Sequence, residues 1–282
     1  MKKIEYYGKI FDKNINLFKC PICGSAFSFW DKSLSCSLGH SFDLSAKGSV
    51  NLLYPPKKQG SIYSSKLWAS REAVFGAGFF EPLIKETANI IKRNGFHNFA
   101  LADLGCGEGS FLCEIAARTE PKTTIGIDIS KEAINKAISK PNLSAVWIVA
   151  NTAALPFCDN SLDVAITMLS PSNYAECRRV VKKGGLVIKI IPGKNYLSEL
   201  RRAIFVDEPR TDYSNEKTET LFRDTFTADE KYISYFFKTE PEMLKNIFAM
   251  TPLSSKRKYP ESALKAASGV SVEFKILYSV LC

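Results

Sequence analysis

No stretch of this chain approaches the ~18 consecutive apolar residues that a membrane-spanning helix needs. The longest candidates, Val164–Leu169 and Leu186–Ile191, are the size of strands. Nor do residues 1–20 carry the apolar segment of a secretory signal, because lysine, aspartate, asparagine and aromatics are mixed through them. These absences lead us to expect a soluble, cytoplasmic protein with no membrane partner, whose eight cysteines stay reduced instead of pairing. Histidine is scarce as well. There are two, His40 and His97, and His97 lies in a polar turn that reads as surface. Apolar and basic residues, by contrast, are plentiful. At 45% hydrophobic and 12% aromatic, the 282 residues can pack a core and are not expected to be disordered. The net charge of +9 favours a polyanionic partner. Much of that charge sits early, with nine lysines against four acids in the first 60 residues.

Residues 1–19 show little pattern. Cys20, Cys23, Cys36 and His40 then follow with the spacing C-x2-C-x12-C-x3-H. Two cysteines two residues apart reach one metal ion through a tight turn, and Gly24 lets that turn close. Cys36 and His40 complete a Cys3His set. Thiolate and imidazole ligands select Zn2+, and with all four positions filled the site would be structural. The alternative is a set of incidental reduced thiols. Ala26–Leu34 between the pairs reads as a hairpin too small to hold a core without a staple. Tyr54–Gly60, rich in proline, lysine and glycine, reads as a linker. The boundary therefore falls between a small module, 1–56, and a main domain, 57–282.

The main domain is organised around Leu101–Ser110, which reads as strand end, glycine turn and helix start. Gly105, Gly107 and Gly109 alternate with Cys106 and Glu108, and Asp103 precedes them by two residues. Glycine admits positive φ and lets a ligand lie against the backbone. The G-x-G-x-G spacing is not that of the dinucleotide fingerprint. Acids at 103 and 108 suit a ligand with an ammonium and a sulfonium better than a pyrophosphate. This D-x-G-x-G-x-G stretch resembles motif I of S-adenosylmethionine-dependent methyltransferases. A ligand-free surface turn is the alternative. A second strand ends at Asp128, 23 residues after Gly105, where an acid is placed to accept ribose hydroxyls. Two helices over 64–93, interrupted at Gly76 and Gly78, come before this region. Strands at 99–104, 124–127, 145–149, 164–169, 186–191, 231–237 and 272–281, with helices between them, predict a doubly wound α/β fold with a seven-stranded, mostly parallel sheet.

Taken together, several segments resemble one family. They are CPICG with C-x3-H, FDLSAKGSVNLL, SREAVFGAGFFEPL, DLGCGEGSF, GIDISKEAI, LPFCDNSLD, RRVVKKGGLVIKIIPG and the MTP at Met250–Pro252. The chain is similar over nearly its whole length to the RlmA-type 23S ribosomal RNA guanine-N1 methyltransferases. The core motifs alone are shared with small-molecule methyltransferases, including the quinone-biosynthesis kind. The zinc module and the SREAVFGAGFF segment are what make the match specific.

The resemblance implies a class I (Rossmann-like) methyltransferase with an N-terminal zinc module that helps hold RNA. It also implies methyl transfer from S-adenosylmethionine to guanine N1 in a hairpin loop of 23S rRNA, and a homodimer. It carries Cys20, Cys23, Cys36 and His40 over as zinc ligands. Gly105, Gly107 and Gly109 would pass the methionyl part, with Phe111 and Leu112 lining its entry, and Asp128 would hold the ribose. Phe80 stands where the family usually has tyrosine, and Tyr196 where a relative has histidine; both are expected near the cofactor. Asn151 replaces the aspartate often used on the adenine amino group. The segment Ser170-Pro171-Ser172-Asn173 falls at the target-facing position but offers no strong base, so no catalytic residue is assigned. Lys57, Lys58 and Arg71 are candidates for phosphate contacts. The competing classes are a small-molecule methyltransferase and a non-catalytic zinc RNA-binding protein.

Overall fold

The patternless first residues form a helix, α1 (Lys3–Lys13), which buries Tyr7, Gly8 and Phe11. The geometry comes from a computed structural model that describes residues 2–56, 65–140, 144–205, 214–255, 257–264 and 267–282. Tyr7 and Phe11 are four apart and share one face, but two aromatics among lysines make a faint stripe. Phe11 meets Phe18, which stacks on Phe157 of the main domain with ring centroids 5.4 Å apart. Lys19 adds an ion pair to Asp159 at 3.1 Å. The N-terminal segment is thus fixed to the body by aromatic packing as well as charge.

Strands β1 (Phe27–Trp30), β2 (Ser33–Cys36) and β3 (Ser41–Asp43) make a small antiparallel sheet, β1 and β2 being the expected hairpin. The chain then enters the large sheet through β4 (Val50–Asn51). Helices α2 (Ser65–Gly76) and α3 (Glu81–Arg93) follow, with Pro82 in the first turn of α3, where its missing N–H costs nothing. Next come β5 (Ala100–Leu104), α4 (Ser110–Thr119), β6 (Thr123–Asp128), α5 (Lys131–Ala137), β7 (Ala145–Val149) and β8 (Leu162–Met168). The chain continues with α6 (Tyr174–Val180), β9 (Val181–Pro192), α7 (Ser198–Ile204), α8 (Glu216–Thr225), β10 (Asp229–Lys238), α9 (Pro241–Ala249) and β11 (Gly269–Val280). Lys57 and Lys58 lie outside the described residues.

The large sheet has the order β10-β11-β9-β8-β5-β6-β7-β4, and β11 is antiparallel to both of its neighbours. It contains the seven expected strands. The eighth, β4, comes from the N-terminal part and pairs parallel to β7. Two residues are too few to show a period, so the sequence pattern could not reveal it. Strands β5, β6 and β7 are buried at every residue, as expected of a parallel sheet covered on both faces. The strand order reverses at β5, whose neighbours are β6 and β8. Ligands bind at such a switch point, beyond the carboxyl ends of the strands, and the glycine turn leaves β5 there. Trp147 of β7, 1% exposed, lies over Gly126 and reaches Gly109, where an added Cβ would stand 2.8 Å from its ring. The indole thus fills the gap left by two absent side chains and supports the turn.

Candidate active site and metal centre

The two halves of the Cys/His cluster are built alike. Gly24 N–H donates to the Cys20 carbonyl at 2.8 Å, and Gly39 N–H donates to the Cys36 carbonyl at 3.0 Å. Both glycines take positive φ, +75° and +82°, which a side chain would strain. The four ligand atoms lie within 4.8 Å of one another. Cys23 Sγ is 3.6 Å from Cys36 Sγ, and His40 Nδ1 is 3.4 Å from Cys36 Sγ and 3.6 Å from Cys20 Sγ. Bonds of ~2.3 Å to sulfur and ~2.0 Å to nitrogen put the corners of a tetrahedron ~3.5–3.8 Å apart. The cluster therefore fits one tetrahedral ion with every position taken by protein.

At the other site the turn after β5 places Gly105, Gly107 and Gly109 at φ +93°, +57° and +82°. A Cβ on Gly105 would strike Ser170 Oγ at 2.6 Å, so the turn is closely packed against the loop after β8. Asp128 ends β6. Its Oδ2 accepts from Gly107 N–H and its Oδ1 from Ser130 N–H, both at 2.8 Å. Burial raises the Asp128 carboxyl above the ordinary range, and these backbone donors oppose the rise. Glu108, 2% exposed, accepts from Ser110 Oγ at 2.6 Å and meets Lys140 at 3.1 Å and Arg71 at 3.5 Å.

A cavity of about 1330 Å³ opens beyond the strand ends, lined by Trp68, Phe80, Gly105, Gly107, Asp128 and Tyr196 among others. Phe80 and Tyr196 belong to one aromatic cluster through Phe79 and Phe274. Other expected residues are elsewhere. Phe111 and Leu112, 1% and 0% exposed, face the core and do not line this cavity. Gly109 is covered by Trp147 and Ala137. The Asn151 amide oxygen accepts from Ala153 N–H at 3.0 Å, in a local turn, and Asn151 does not line this cavity. Arg71 lines the cavity, where it serves as counter-ion to the acids.

Asp103 is 1% exposed, and its Oδ1 has no hydrogen-bond partner among the described residues. Burial is the largest influence on it. Arg71 pulls its pKa down and Asp128 and Glu108 push it up, leaving it at about 7. A buried acceptor without a donor is costly, and a cationic ligand at the turn would relieve it. The acid set, the side-chain-free turn and the cavity fit S-adenosylmethionine, which brings an ammonium and a sulfonium. Below its pKa, neutral Asp103 must lose a proton to pair with the ammonium. S-adenosylmethionine affinity is therefore expected to rise by up to ~10-fold per pH unit toward pH 7 and to level off above it. In Asp103→Asn the profile should be flat. Calorimetry between pH 5.5 and 8.5 measures this, and a wild-type profile as flat as the variant's would contradict it.

Sequence reasoning missed Lys189. It is 3% exposed near the carboxyl end of β9, lines the cavity, and donates from Nζ to the Ser170 carbonyl and, at 2.9 Å, to Ser172 Oγ. The signal was present, a lysine in the otherwise apolar run Leu186–Pro192.

Comparison with known proteins follows this geometry. A family model described as "RlmA, N-terminal" matches residues 18–61, and one described as "Methyltransferase domain" matches residues 101–185. YxjB of Bacillus subtilis (strain 168), provisionally named a 23S rRNA (guanine-N(1)-)-methyltransferase, is 37% identical over 254 residues, covering 86% of this chain and 88% of its own. The 23S rRNA (guanine(748)-N(1))-methyltransferase of Streptomyces fradiae is 25% identical over 242 residues, covering 85% of this chain and 86% of its own. The crystal structure of YcgJ from Bacillus subtilis superposes with a TM-score of 0.47 at 18% identity, covering 68% of this chain and 96% of that one. The cluster at 20–40 thus lies within the segment matched by the RlmA model, and the glycine turn lies within the methyltransferase match. No helix among the described residues is long and apolar enough to cross a membrane.

Proposed function

Because the chain belongs to the RlmA-type 23S rRNA (guanine-N1)-methyltransferase family, we propose that it methylates N1 of a guanine in a hairpin loop of 23S rRNA, using S-adenosylmethionine. The observation that carries this reading is that one chain holds both an RlmA-type Cys3His module and a glycine-turn cavity. In our reading residues 1–56 recognise RNA and 57–282 carry out the transfer, with Cys20, Cys23, Cys36 and His40 holding structural zinc. The protein works in the cytoplasm, where ribosomes are made, and acts as a homodimer, which light scattering of the purified protein would test.

When bound, S-adenosylmethionine supplies a methyl group made electrophilic by its sulfonium. The protein's work is to bind and align. Gly105 and Gly107 let the methionyl part approach the backbone while Gly109, covered by Trp147, shapes the turn, Asp103 faces the ammonium, and Asp128 holds the ribose. Phe80 and Tyr196 bound the same pocket with aromatic surface, and Phe111 and Leu112 support the turn from beneath. At about 1330 Å³ the cavity exceeds the ~300–1,000 Å³ usual for one small ligand. That excess leaves room for an acceptor beside the cofactor, as an extruded base requires, and the RlmA-type module favours RNA over a small molecule as that acceptor. Nucleoside analysis of 23S rRNA from cells lacking the gene tests the reading. Loss of one 1-methylguanosine per ribosome is expected, and an unchanged content would refute it.

RNA binding brings in the module's surface. Trp30 stands 83% exposed at the β1–β2 turn, next to Asp31 and Lys32. Loop bases stack on such aromatics, each contact contributing ~1–3 kcal/mol. Trp30→Ala is expected to weaken binding to the target hairpin ~5- to 100-fold, and wild-type affinity is expected to fall steeply with salt. Filter binding at two salt concentrations measures both, and a salt-independent affinity equal in the two proteins would contradict them.

A further inference from the structure

We propose that Lys189 is a catalytic residue whose ammonium donates to O6 of the target guanine and holds the negative charge that forms there as N1 gives up its proton. This inference rests on the guanine-N1 reading above. Lys189 lies three residues from the carboxyl end of β9 (Val181–Pro192), level with Thr167 of β8 and Leu277 of β11. Among the described residues it has no carboxylate partner, although it is 3% exposed. A buried lysine without a counter-ion is expensive to keep, and the usual compensation, an ion pair, is missing here. Thr167 beside it, 2% exposed, has a hydroxyl with no hydrogen-bond partner among the described residues. Two polar groups are thus placed together at the carboxyl end of the central strands with their hydrogen bonding incomplete.

The position connects the two sides of the reaction. An ammonium has three donors. One goes to the Ser170 carbonyl and one to Ser172 Oγ, in the loop that bounds the cavity. That leaves one for the cavity that Lys189 itself lines. Ser170 in turn packs on Gly105, where a Cβ would meet its Oγ at 2.6 Å, and bonds to the Leu104 carbonyl at 3.0 Å. Lys189 is therefore linked through Ser170 to the cofactor turn and lines the same cavity.

The chemistry needs such a group. Guanine N1 is protonated at neutral pH, and when the proton departs the charge spreads to O6. As the N1–carbon bond forms, the carbon–sulfur bond breaks and sulfur keeps that electron pair. The N1 proton passes to solvent water, and Lys189 remains protonated throughout. A fixed cation held beside the base stabilises such developing charge. Burial lowers the Lys189 pKa to about 8, so it remains mostly charged at neutral pH. On the elements packed against it, Asp163 is paired with Lys182, Lys275 with Glu219, Glu176 with Arg179, and Glu273 with Asn195. The titratable group that acts on Lys189 is the Cys177 thiol of α6, kept neutral by burial, with its own pKa pushed up to about 12.

The test uses the full-length zinc-bound protein, S-adenosylmethionine and a 23S rRNA hairpin fragment. Single-turnover methyl transfer is followed from pH 6.5 to 9.5 in the wild type, Lys189→Met and Lys189→Arg, with affinities for both ligands measured separately. Lys189→Met is expected to slow transfer by ~10²–10³-fold, with affinities for S-adenosylmethionine and RNA within ~3-fold of wild type. The wild-type rate is expected to fall off above about pH 8, and Lys189→Arg, whose charge persists past pH 12, to lose that fall. A lysine that only holds the loop would instead lower both variants equally at every pH and weaken RNA binding; that outcome overturns the proposal. So does a Lys189→Met rate within ~3-fold of wild type. If Lys189→Met fails to bind S-adenosylmethionine, the pH profile of Lys189→Arg decides. A wild type that binds S-adenosylmethionine yet forms no 1-methylguanosine refutes the underlying reading, and this proposal with it.

Discussion

Removing the metal, by chelation or by Cys36→Ser, is expected to unfold residues 20–43 while the main domain still binds S-adenosylmethionine. The strands there are only four, four and three residues long. Their core is slight, with Phe27 and Leu34 buried and Phe29 and Phe42 half-covered. Of the four buried side chains in 20–43, two, Cys20 and Cys36, are themselves ligands. A structural zinc site contributes an apparent ~10–16 kcal/mol to small modules of this kind, far more than such a core can supply. A serine hydroxyl at Cys36 cannot replace the thiolate, because it does not ionise near neutral pH. The damage should stop at the module's edge. Phe18 stacks on Phe157, and Leu17 and Lys19 exchange backbone hydrogen bonds with Cys158 and Pro156. Hydrogen exchange should show lost protection across 20–43, RNA affinity should fall, and calorimetry should show S-adenosylmethionine binding unchanged. Unaltered protection in a metal-free protein would contradict the structural role of the ion.

Replacing Asp128 is expected to cost S-adenosylmethionine affinity ~10²-fold or more, and asparagine should rescue little. The buried carboxylate accepts two backbone N–H groups, from Gly107 and Ser130. Hydrogen bonds to a charged acceptor are worth ~1.5–3 kcal/mol each. Alanine leaves both donors unpaired and frees the glycine turn as well as removing the proposed ribose acceptor. Asparagine offers one oxygen to two converging donors and points its amide hydrogens at the other one. Both variants should therefore melt earlier and bind S-adenosylmethionine weakly, Asp128→Ala the more so. Thermal denaturation with and without ligand, together with calorimetry, measures this. An Asp128→Asn protein within ~3-fold of wild-type affinity would contradict it.

What could be read from the sequence was chemistry written at short range. C-x2-C with C-x3-H specifies four ligands within two tight turns, and alternating glycines ahead of a helix specify a turn with no side chains. Asp128 was legible because an acid ending the second strand has one conspicuous use. Other features depend on packing between distant segments. The β4 pairing joins residues 50–51 to β7, and neither partner announces the other. Arg71 of α2 turns inward to pair with the buried Glu108 at 3.5 Å, close enough to act on Asp103 as well, a relation without a spacing rule. Phe111 and Leu112 come just after the glycine turn in sequence, yet α4 points them into the core. Lys189 was visible as an oddity in an apolar strand, but only its bonds to Ser170 and Ser172 show which loop it serves.

The central claim is that the glycine-turn cavity and the zinc module act together on one guanine. The most direct test incubates the purified zinc-bound protein with protein-free 23S rRNA and S-adenosylmethionine, digests the RNA to nucleosides and analyses them by mass. We expect 1-methylguanosine at close to one per rRNA, confined to a single hairpin-loop position, and none when Asp128→Ala replaces the wild type. Active protein that binds S-adenosylmethionine but yields no 1-methylguanosine, or methylates a small acceptor instead, would contradict the claim.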